Sequence, residues 1–231
     1  MALDFSDSCV FCLSRFERFG NTPDFKRLVG KRAKSRVLYE TDNFVVLPTI
    51  GQIVEGYLMI MPKRHYRSFA LLNDDLFAEA ESLYSETEST LRKAYKSPIF
   101  YEHGMGYAAS GNGCCVDHAH IHAIPISINL SGRLEKEFKW RNIDQLQDPA
   151  RIVRGSHYLF VQDSSQQKRL YYASNVRAQY IRHIVAEQLG TPDKGDWMLY
   201  PGITELLATL KKLSNWKNER IKANQIITYS N

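Results

Sequence analysis

The stretch DHAHIHAIP, residues 117–125, places three of the chain's seven histidines at alternate positions. His118, His120 and His122 are separated only by small or apolar residues. In an extended strand successive side chains point to opposite faces, so the three imidazoles are expected on one face, about 7 Å apart. The other face is apolar and suited to a core. The stretch is therefore predicted to be a strand that carries a functional site.

The residues alone leave three interpretations of this histidine row open. It is the polar face of a surface strand, although such faces usually mix Thr, Lys, Glu and Ser. It holds a catalytic zinc ion through histidines at i and i+2, which requires a third ligand and an open position for water. Or the middle imidazole is a nucleophile, and the flanking imidazoles hold its tautomer and stabilise charge.

Length and charge limit the classes of partner. At 231 residues the chain forms one sizeable domain, or one of about 130 residues with an appended piece. The formal net charge of +5 favours an anionic ligand. It falls short of the clustered Lys and Arg stripe of a nucleic-acid binder, so nucleic acid is not an expected partner. A ligand as small as one nucleotide fits this charge.

The N-terminal residues and the cysteines indicate where the protein works. The start MALDFSDSCVFC has no basic segment followed by a long apolar one, and no later stretch has the length of a membrane span, so we expect a soluble, cytoplasmic protein. Cys9 and Cys12 have the C-x-x-C spacing that supplies half of a tetrahedral zinc site. The alternative is a pair of ordinary buried cysteines.

Hydrophobic patterning predicts an α+β fold with one long helix. Residues 36–49 form two β-branched and aromatic runs around Asp42-Asn43, which indicates a hairpin, and residues 56–62 continue as a strand. Residues 73–95 have early acids, late bases and apolar positions at helical spacing. Further predicted elements are strands around 98–104 and 115–126 with a glycine-bearing loop at 105–113 between them, a hairpin at 156–174, and helices at 176–190 and 203–213.

The histidine row followed by Pro125 resembles the signature of the histidine triad (HIT) superfamily of nucleotide hydrolases and transferases. The likeness extends upstream through LYETDNFVVLPTIGQIVEGYLMIMPKRH and covers roughly residues 9–126. It implies a HIT-like antiparallel sheet with one long helix, a HIT domain at 1–130 with an N-terminal zinc-binding segment, and a mixed α/β extension at 131–231 that packs on it. It also implies a homodimer.

The resemblance implies a two-step displacement on phosphorus. His120 would attack the α-phosphate of a nucleotide ester, anhydride or phosphoramidate, and water or another acceptor would resolve the nucleotidyl-histidine. His122 and backbone N–H groups would donate to the phosphoryl oxygens. It further implies a closed, structural zinc site, in which Cys9 and Cys12 are completed by His65 and His118.

Several positions depart from the pattern that the resemblance implies. Gly113, Cys114 and Cys115 stand where many relatives carry Gly-Gln-Ser/Thr, and Glu102 precedes His103 where relatives show Asn or Gln. Thr49, beside Ile50, replaces an acid that contacts ribose, and Tyr57 replaces a histidine. The predicted nucleotide-binding set is nevertheless Thr49, Ile50, Glu102, Gly113, Cys114 and Cys115. We also consider His103 as a possible cation.

The C-terminal region offers one further candidate contact for a phosphate. Asn175, Arg177, Gln179 and Arg182 surround a predicted helix start, where guanidinium groups suit an anion. Ordinary surface solvation is the favoured alternative for each of them.

The expected function is a nucleotide phosphohydrolase that acts through His120 and His122, with a purine nucleotide favoured as substrate and structural zinc as the cofactor. Two alternatives stay open. One is a nucleotidyltransferase or dinucleoside polyphosphate phosphorylase, and the other is a nucleotide-binding or sensing protein without turnover.

Overall fold

The computed structural model describes residues 9–14, 20–106, 118–174 and 176–216. Within them lie eight strands: β1 (Tyr39–Glu40), β2 (Phe44–Pro48), β3 (Leu58–Pro62), β4 (Ile99–Gly104), β5 (Ile121–Ile124), β6 (Trp140–Ile143), β7 (Tyr158–Gln162) and β8 (Lys168–Tyr172). They form one sheet in the order β1-β2-β3-β5-β4-β7-β8-β6, and every neighbouring pair of strands is antiparallel.

Seven α-helices accompany this sheet in the described part of the chain. They are α1 (Val10–Ser14), α2 (Pro23–Val29), α3 (Phe77–Ala94), α4 (Ser131–Glu137), α5 (Asp148–Val153), α6 (Tyr180–Gln188) and α7 (Ile203–Lys212). The predicted α+β class with an antiparallel sheet and one long helix is confirmed. No helix among the described residues combines the length and apolar character needed to cross a membrane.

The hairpin predicted at Asp42-Asn43 is present, and α3 holds its turn. Strands β1 and β2 pair with Tyr39 opposite Val46. The Glu79 carboxylate on α3 accepts hydrogen bonds from the Asn43 backbone N–H at 2.9 Å and from its side-chain amide at 2.7 Å. Helix and hairpin are therefore joined through the turn residue that the sequence pattern marks.

Helix α3 covers one face of the sheet with the apolar stripe that its sequence predicts. Ala80, Leu83, Tyr84 and Leu91 are buried on this stripe. The Tyr84 ring stacks on Phe100 of β4 with centroids 3.9 Å apart. Burial of such a stripe supplies most of the stability of a surface helix, because helix propensity alone is weak.

The sheet continues past residue 130 without interruption. Strand β7 pairs with β4 over five positions, from Phe100 opposite Gln162 to Gly104 opposite Tyr158. A second apolar cluster, which includes Ile184 and Val185 of α6, lies with Ile99 and Tyr101 of β4 and Ile124 of β5. The C-terminal residues thus share a sheet and a core with the segment that carries the histidines. The division into domains at residue 130 stays a prediction.

Strand β5 is shorter than the predicted strand at 115–126. It begins at Ile121, so His118 and His120 precede the ladder. The backbone there pairs differently, because the Ala119 N–H donates to the Tyr66 carbonyl at 2.6 Å. The three imidazoles are consequently divided between two places, and only two of them reach one cavity.

Candidate active site

His120 is held in a tautomer that suits a nucleophile. Its Nδ1–H donates to the His118 carbonyl at 2.6 Å, since a carbonyl oxygen only accepts. The proton of the neutral ring is then on Nδ1, and Nε2 keeps its lone pair. Burial lowers the pKa of His120, which favours this neutral form. The ring lies in the wall of a cavity.

His122 lies beside His120 and is hydrogen-bonded to Tyr57, which is in turn hydrogen-bonded to Tyr101. The two imidazole centroids are 4.6 Å apart and nearly perpendicular. The Tyr57 hydroxyl lies 3.0 Å from His122 Nδ1 and 2.5 Å from the Tyr101 hydroxyl, and the Tyr101 ring stacks on the imidazole at 4.4 Å. Burial, followed by the charges of His120 and Arg182, holds the pKa of His122 well below its usual range. Burial therefore favours the neutral form of His122.

The cavity that contains both imidazoles is lined by residues from many parts of the described chain. Phe11 comes from α1, Thr49 and Ile50 follow β2, and Arg182 and Trp197 come from the C-terminal region. Thr49 and Ile50 thus line the same cavity as the two imidazoles, and their binding of a nucleotide stays a prediction. The Thr49 hydroxyl donates to the Ile50 carbonyl at 2.8 Å, which fixes this turn in the cavity wall. Gly113, Cys114 and Cys115 lie outside the described residues.

Glu102 is not brought to the cavity with the other predicted binding residues. Successive residues of β4 face opposite sides of the sheet, so Tyr101 and His103 line the cavity while Glu102 enters the core, where it is 2% exposed. Its carboxylate accepts from the Phe69 N–H at 2.8 Å and contacts the Tyr158 hydroxyl. Glu102 is therefore a structural residue here, and it is not carried into the proposed ligand site.

His103 replaces Glu102 in the cavity wall, but not as a cation. Burial, with smaller contributions from the neighbouring His157 and His120, lowers the pKa of His103 to about 4. The ring is thus neutral at pH 7, contrary to the possibility raised from the sequence. Strand alternation alone signals that residues 101 and 103 share a face that residue 102 does not.

We predict that Glu102→Gln removes a pH dependence of stability. Burial raises the pKa of Glu102 from 4.5 to about 7. The protonated carboxyl group of Glu102 therefore favours the folded state. This stabilisation is fully present below pH 4.5 and is lost as the pH rises through about 7. The pKa shift corresponds to about 3 kcal/mol of unfolding free energy. Urea unfolding at pH 5 and pH 8 measures it. From pH 5 to pH 8 the free energy of unfolding should fall less in the variant than in the wild type. The difference between the two proteins should be most of the free energy that corresponds to the pKa shift.

The matched control for this measurement is Glu137→Gln, which changes a carboxylate that is 40% exposed. It should keep the wild-type pH dependence. An identical dependence in Glu102→Gln and wild type would contradict the assignment.

Two buried arginines in the cavity wall were not among the residues that the sequence analysis selected as the site. Arg36 is 2% exposed and donates to the carbonyls of Gly20 and Pro48. Burial lowers the pKa of Arg36 to about 9, so it remains charged at pH 7. Arg182 on α6 is 4% exposed and also lines the cavity. The sequence offers a signal only for Arg182, as one of several candidates near a predicted helix start.

The four predicted metal ligands converge at a second site. Cys9, Cys12, His65 and His118 are all buried, and their ligand atoms lie within 4.8 Å of one another. His118 Nδ1 is 3.5 Å from Cys9 Sγ and 3.8 Å from Cys12 Sγ, and His65 Nδ1 is 3.4 Å from Cys12 Sγ. Tetrahedral zinc with usual bond lengths separates sulfur and nitrogen ligands by about 3.5 Å, so these atoms fit the ion.

The orientation of His118 agrees with a ligand role. Its Nε2–H donates to the Pro62 carbonyl at 2.7 Å, which leaves Nδ1 unprotonated and directed at the cysteines. Metal-bound histidines commonly make this second hydrogen bond. The cluster offers four protein ligands, which is the full number for a tetrahedral zinc ion. Such a closed set is typical of structural rather than hydrolytic zinc sites.

Comparisons with known proteins show which family this chain is similar to. Residues 23–137, about half of the chain, match the family model described as "Scavenger mRNA decapping enzyme C-term binding". A curated HIT-like protein of Methanocaldococcus jannaschii, itself uncharacterized, is 22% identical over 147 residues, which are 64% of this chain and 99% of that protein. The chain belongs to the histidine triad superfamily.

Solved structures of other HIT proteins are similar to parts of this one. A Zn-bound histidine triad family protein from Mycobacterium smegmatis has a TM-score of 0.34 at 19% identity, covering 57% of this chain and 89% of its own. A HIT family protein from Bacillus anthracis has a TM-score of 0.37 at 16% identity, covering 56% of this chain and 86% of its own.

Proposed function

We propose that this HIT protein is a nucleotide phosphohydrolase that works through a nucleotidyl-histidine on Nε2 of His120. One observation carries the proposal: the His120 Nδ1–H bond to the His118 carbonyl leaves Nε2 with its lone pair in a cavity wall. A neutral imidazole with a fixed tautomer is a good nucleophile near pH 7. The anion that the net charge favours is then the phosphate of the nucleotide.

In the first step the Nε2 lone pair of His120 forms a bond to the α-phosphorus. The bond from phosphorus to the leaving oxygen or nitrogen breaks, and its electron pair departs with the leaving group, which takes a proton from solvent or from a cavity group. We assign the Tyr57 hydroxyl as donor to His122 Nδ1, so that the other nitrogen of His122 carries the proton and donates to a phosphoryl oxygen.

In the second step water attacks the phosphorus on the side opposite His120 Nε2. The P–N bond breaks, the water proton leaves to solvent, and the nucleoside monophosphate departs while His120 regains its lone pair. Both steps need donors at the phosphoryl oxygens, where negative charge grows. The acceptor decides between hydrolase and transferase, because the first step is common to both.

The four-residue cluster is proposed to bind zinc as a structural ion. Cys9, Cys12, His65 and His118 would hold it, and its chemistry there is to join the N-terminal segment to the chain around β3 and β5. His118 then has two functions, since its ring holds the metal while its carbonyl orients His120. The ion takes no part in the steps at phosphorus.

Trapping the covalent intermediate tests the proposal. The protein is mixed with donors labelled in the α-phosphate, quenched, and assayed for alkali-stable, acid-labile label on histidine. The panel contains adenylyl and guanylyl donors. It also contains an mRNA cap dinucleotide, because the matching family model is named after an mRNA decapping enzyme. Label at His120 supports the proposal, and the labelled donor reports the base preference, for which we expect purine.

Product analysis with and without added phosphate then separates hydrolase from phosphorylase. Tight nucleotide binding with neither label nor product over hours would contradict catalysis and favour a sensor. The predicted homodimer is checked on the same preparation by sedimentation equilibrium.

A further inference from the structure

Arg182 connects the C-terminal region to the cavity. It lies on α6, outside residues 23–137 that match the family model, and it is buried in the cavity wall. The guanidinium carbon of Arg182 is 5.4 Å from the centre of the Tyr57 ring. The Tyr57 hydroxyl is hydrogen-bonded to His122. The charge of Arg182 therefore lies on the His122 side of the cavity.

The hydrogen bonds of Arg182 do not neutralise its charge. Nε donates to the Gly195 carbonyl at 3.2 Å, and Nη2 donates to the carbonyls of Gly51 at 2.8 Å and Lys194 at 3.3 Å. Nη1 is buried and has no hydrogen-bond partner among the described residues. No carboxylate of the described chain lies within ion-pair distance of Arg182.

A buried cation without a counter-ion is costly, and such a charge is normally paired. The other charged groups of the cavity do not compensate for it. Arg36 adds a second buried guanidinium, and the one described carboxylate in the wall, Asp24, pairs with Arg27 at 3.1 Å. The described wall thus lacks negative charge where Arg182 is buried. An anionic ligand would supply it.

We propose that Arg182 is the cation that selects a phosphate-bearing ligand for this cavity, contributed by the C-terminal region beside His122. The inference rests on the proposed nucleotide site and deepens it. The charge acts on an anion several ångströms away without direct contact, because electrostatic interactions are strong at low local dielectric. The ligand class is a phosphate monoester or anhydride rather than a neutral nucleoside.

Arg182 also has a structural role that any test must separate from this one. Its carbonyl contacts join α6 to the turn after β2 and to residues 194–195. That role uses Nε and Nη2, but it requires neither Nη1 nor a positive charge. A structural loss would weaken binding of neutral and anionic ligands together, whereas loss of the charge weakens only the anion.

The test compares AMP with adenosine, and GMP with guanosine, by titration calorimetry of the full chain. In the wild type at least one nucleotide should bind ten times more tightly than its nucleoside. Arg182→Gln should reduce this ratio at least tenfold and leave nucleoside affinity within about twofold. Arg182→Lys, which retains the charge, should keep most of the ratio. Arg151→Gln removes an exposed arginine of α5 that lies outside the cavity lining, and it should match the wild type.

An unchanged ratio in Arg182→Gln would overturn the proposal. Equal affinity of the wild type for nucleotide and nucleoside would overturn it as well, and this measurement needs no variant if Arg182→Gln fails to fold. The outcome is separable from that of the proposed function. Phosphate-selective binding that depends on Arg182, with no intermediate on His120, would contradict the enzyme and retain the site. Turnover in Arg182→Gln, with the wild-type ratio of nucleotide to nucleoside affinity, would contradict the role of Arg182 and retain the enzyme.

Discussion

His120→Asn is expected to lower kcat for any donor that the wild type turns over by on the order of a thousandfold or more. The substitution removes the only nitrogen that, in the proposed mechanism, bonds to phosphorus. The hydrogen bond from Nδ1 to the His118 carbonyl belongs to the same ring, so orientation and nucleophile are lost together. Single-turnover measurement with the α-labelled donor gives the rate of the first step directly.

The matched control is His183→Asn, which changes a partly buried histidine on α6 outside the cavity lining. It should keep wild-type kcat. Thermal unfolding and metal content of His120→Asn should also stay near wild type, because His120 is not in the metal cluster. Normal turnover in a folded His120→Asn protein would show that the nucleophile is another residue.

Cys12→Ser is expected to abolish stoichiometric zinc binding and to lower the unfolding temperature by about 10 °C. Cys12 Sγ approaches the Nδ1 atoms of both His65 and His118, so its loss removes a ligand from the centre of the cluster. The ligands come from segments far apart in the chain, and the ion therefore contributes to folding. A loss of about 3–5 kcal/mol shifts the midpoint by this amount in a chain of this length.

Elemental analysis and calorimetric melting measure both effects. A chelator should lower the wild-type melting temperature towards that of Cys12→Ser and leave the variant unchanged. Cys114→Ser, the same substitution outside the ligand set, should retain zinc. A metal-free wild-type preparation with an unaltered melting temperature would favour the alternative of two ordinary buried cysteines.

Local patterns predicted most of the secondary structure because its signals are short in range. The turn pair Asp42-Asn43, the apolar stripe of α3 and the alternation in β7 and β8 each depend on residues close in sequence. The extent of β5 was predicted less well. Residues 118 and 119, which precede β5, hydrogen-bond to the carbonyls of Pro62 and Tyr66 instead of extending the strand, and local alternation does not reveal this.

Some residues of the candidate site were predicted correctly from the sequence and others were not. The reason is that the site is formed by contacts between residues far apart in the chain. Cys9, Cys12, His65 and His118 were grouped through a family resemblance, and their proximity is visible only when four separated segments are folded together. Glu102 is predicted as a ligand residue only through the family resemblance, because relatives show Asn or Gln at its position. Strand alternation places it in the core, and His103 takes the cavity face.

By itself the sequence determined the fold class and the approximate position of the strand that carries His122, since both depend on periodicity. That a histidine is the reacting residue stays a prediction from the chemistry of its side chain. Only the tertiary structure decided that His118 turns to the cysteines while its carbonyl orients His120, and that Arg182 reaches the cavity from beyond the family segment. These facts depend on hydrogen bonds and burial between residues far apart in the chain. No local pattern encodes them, because the free energy of placing a proton or a charge is set by all the groups that surround it.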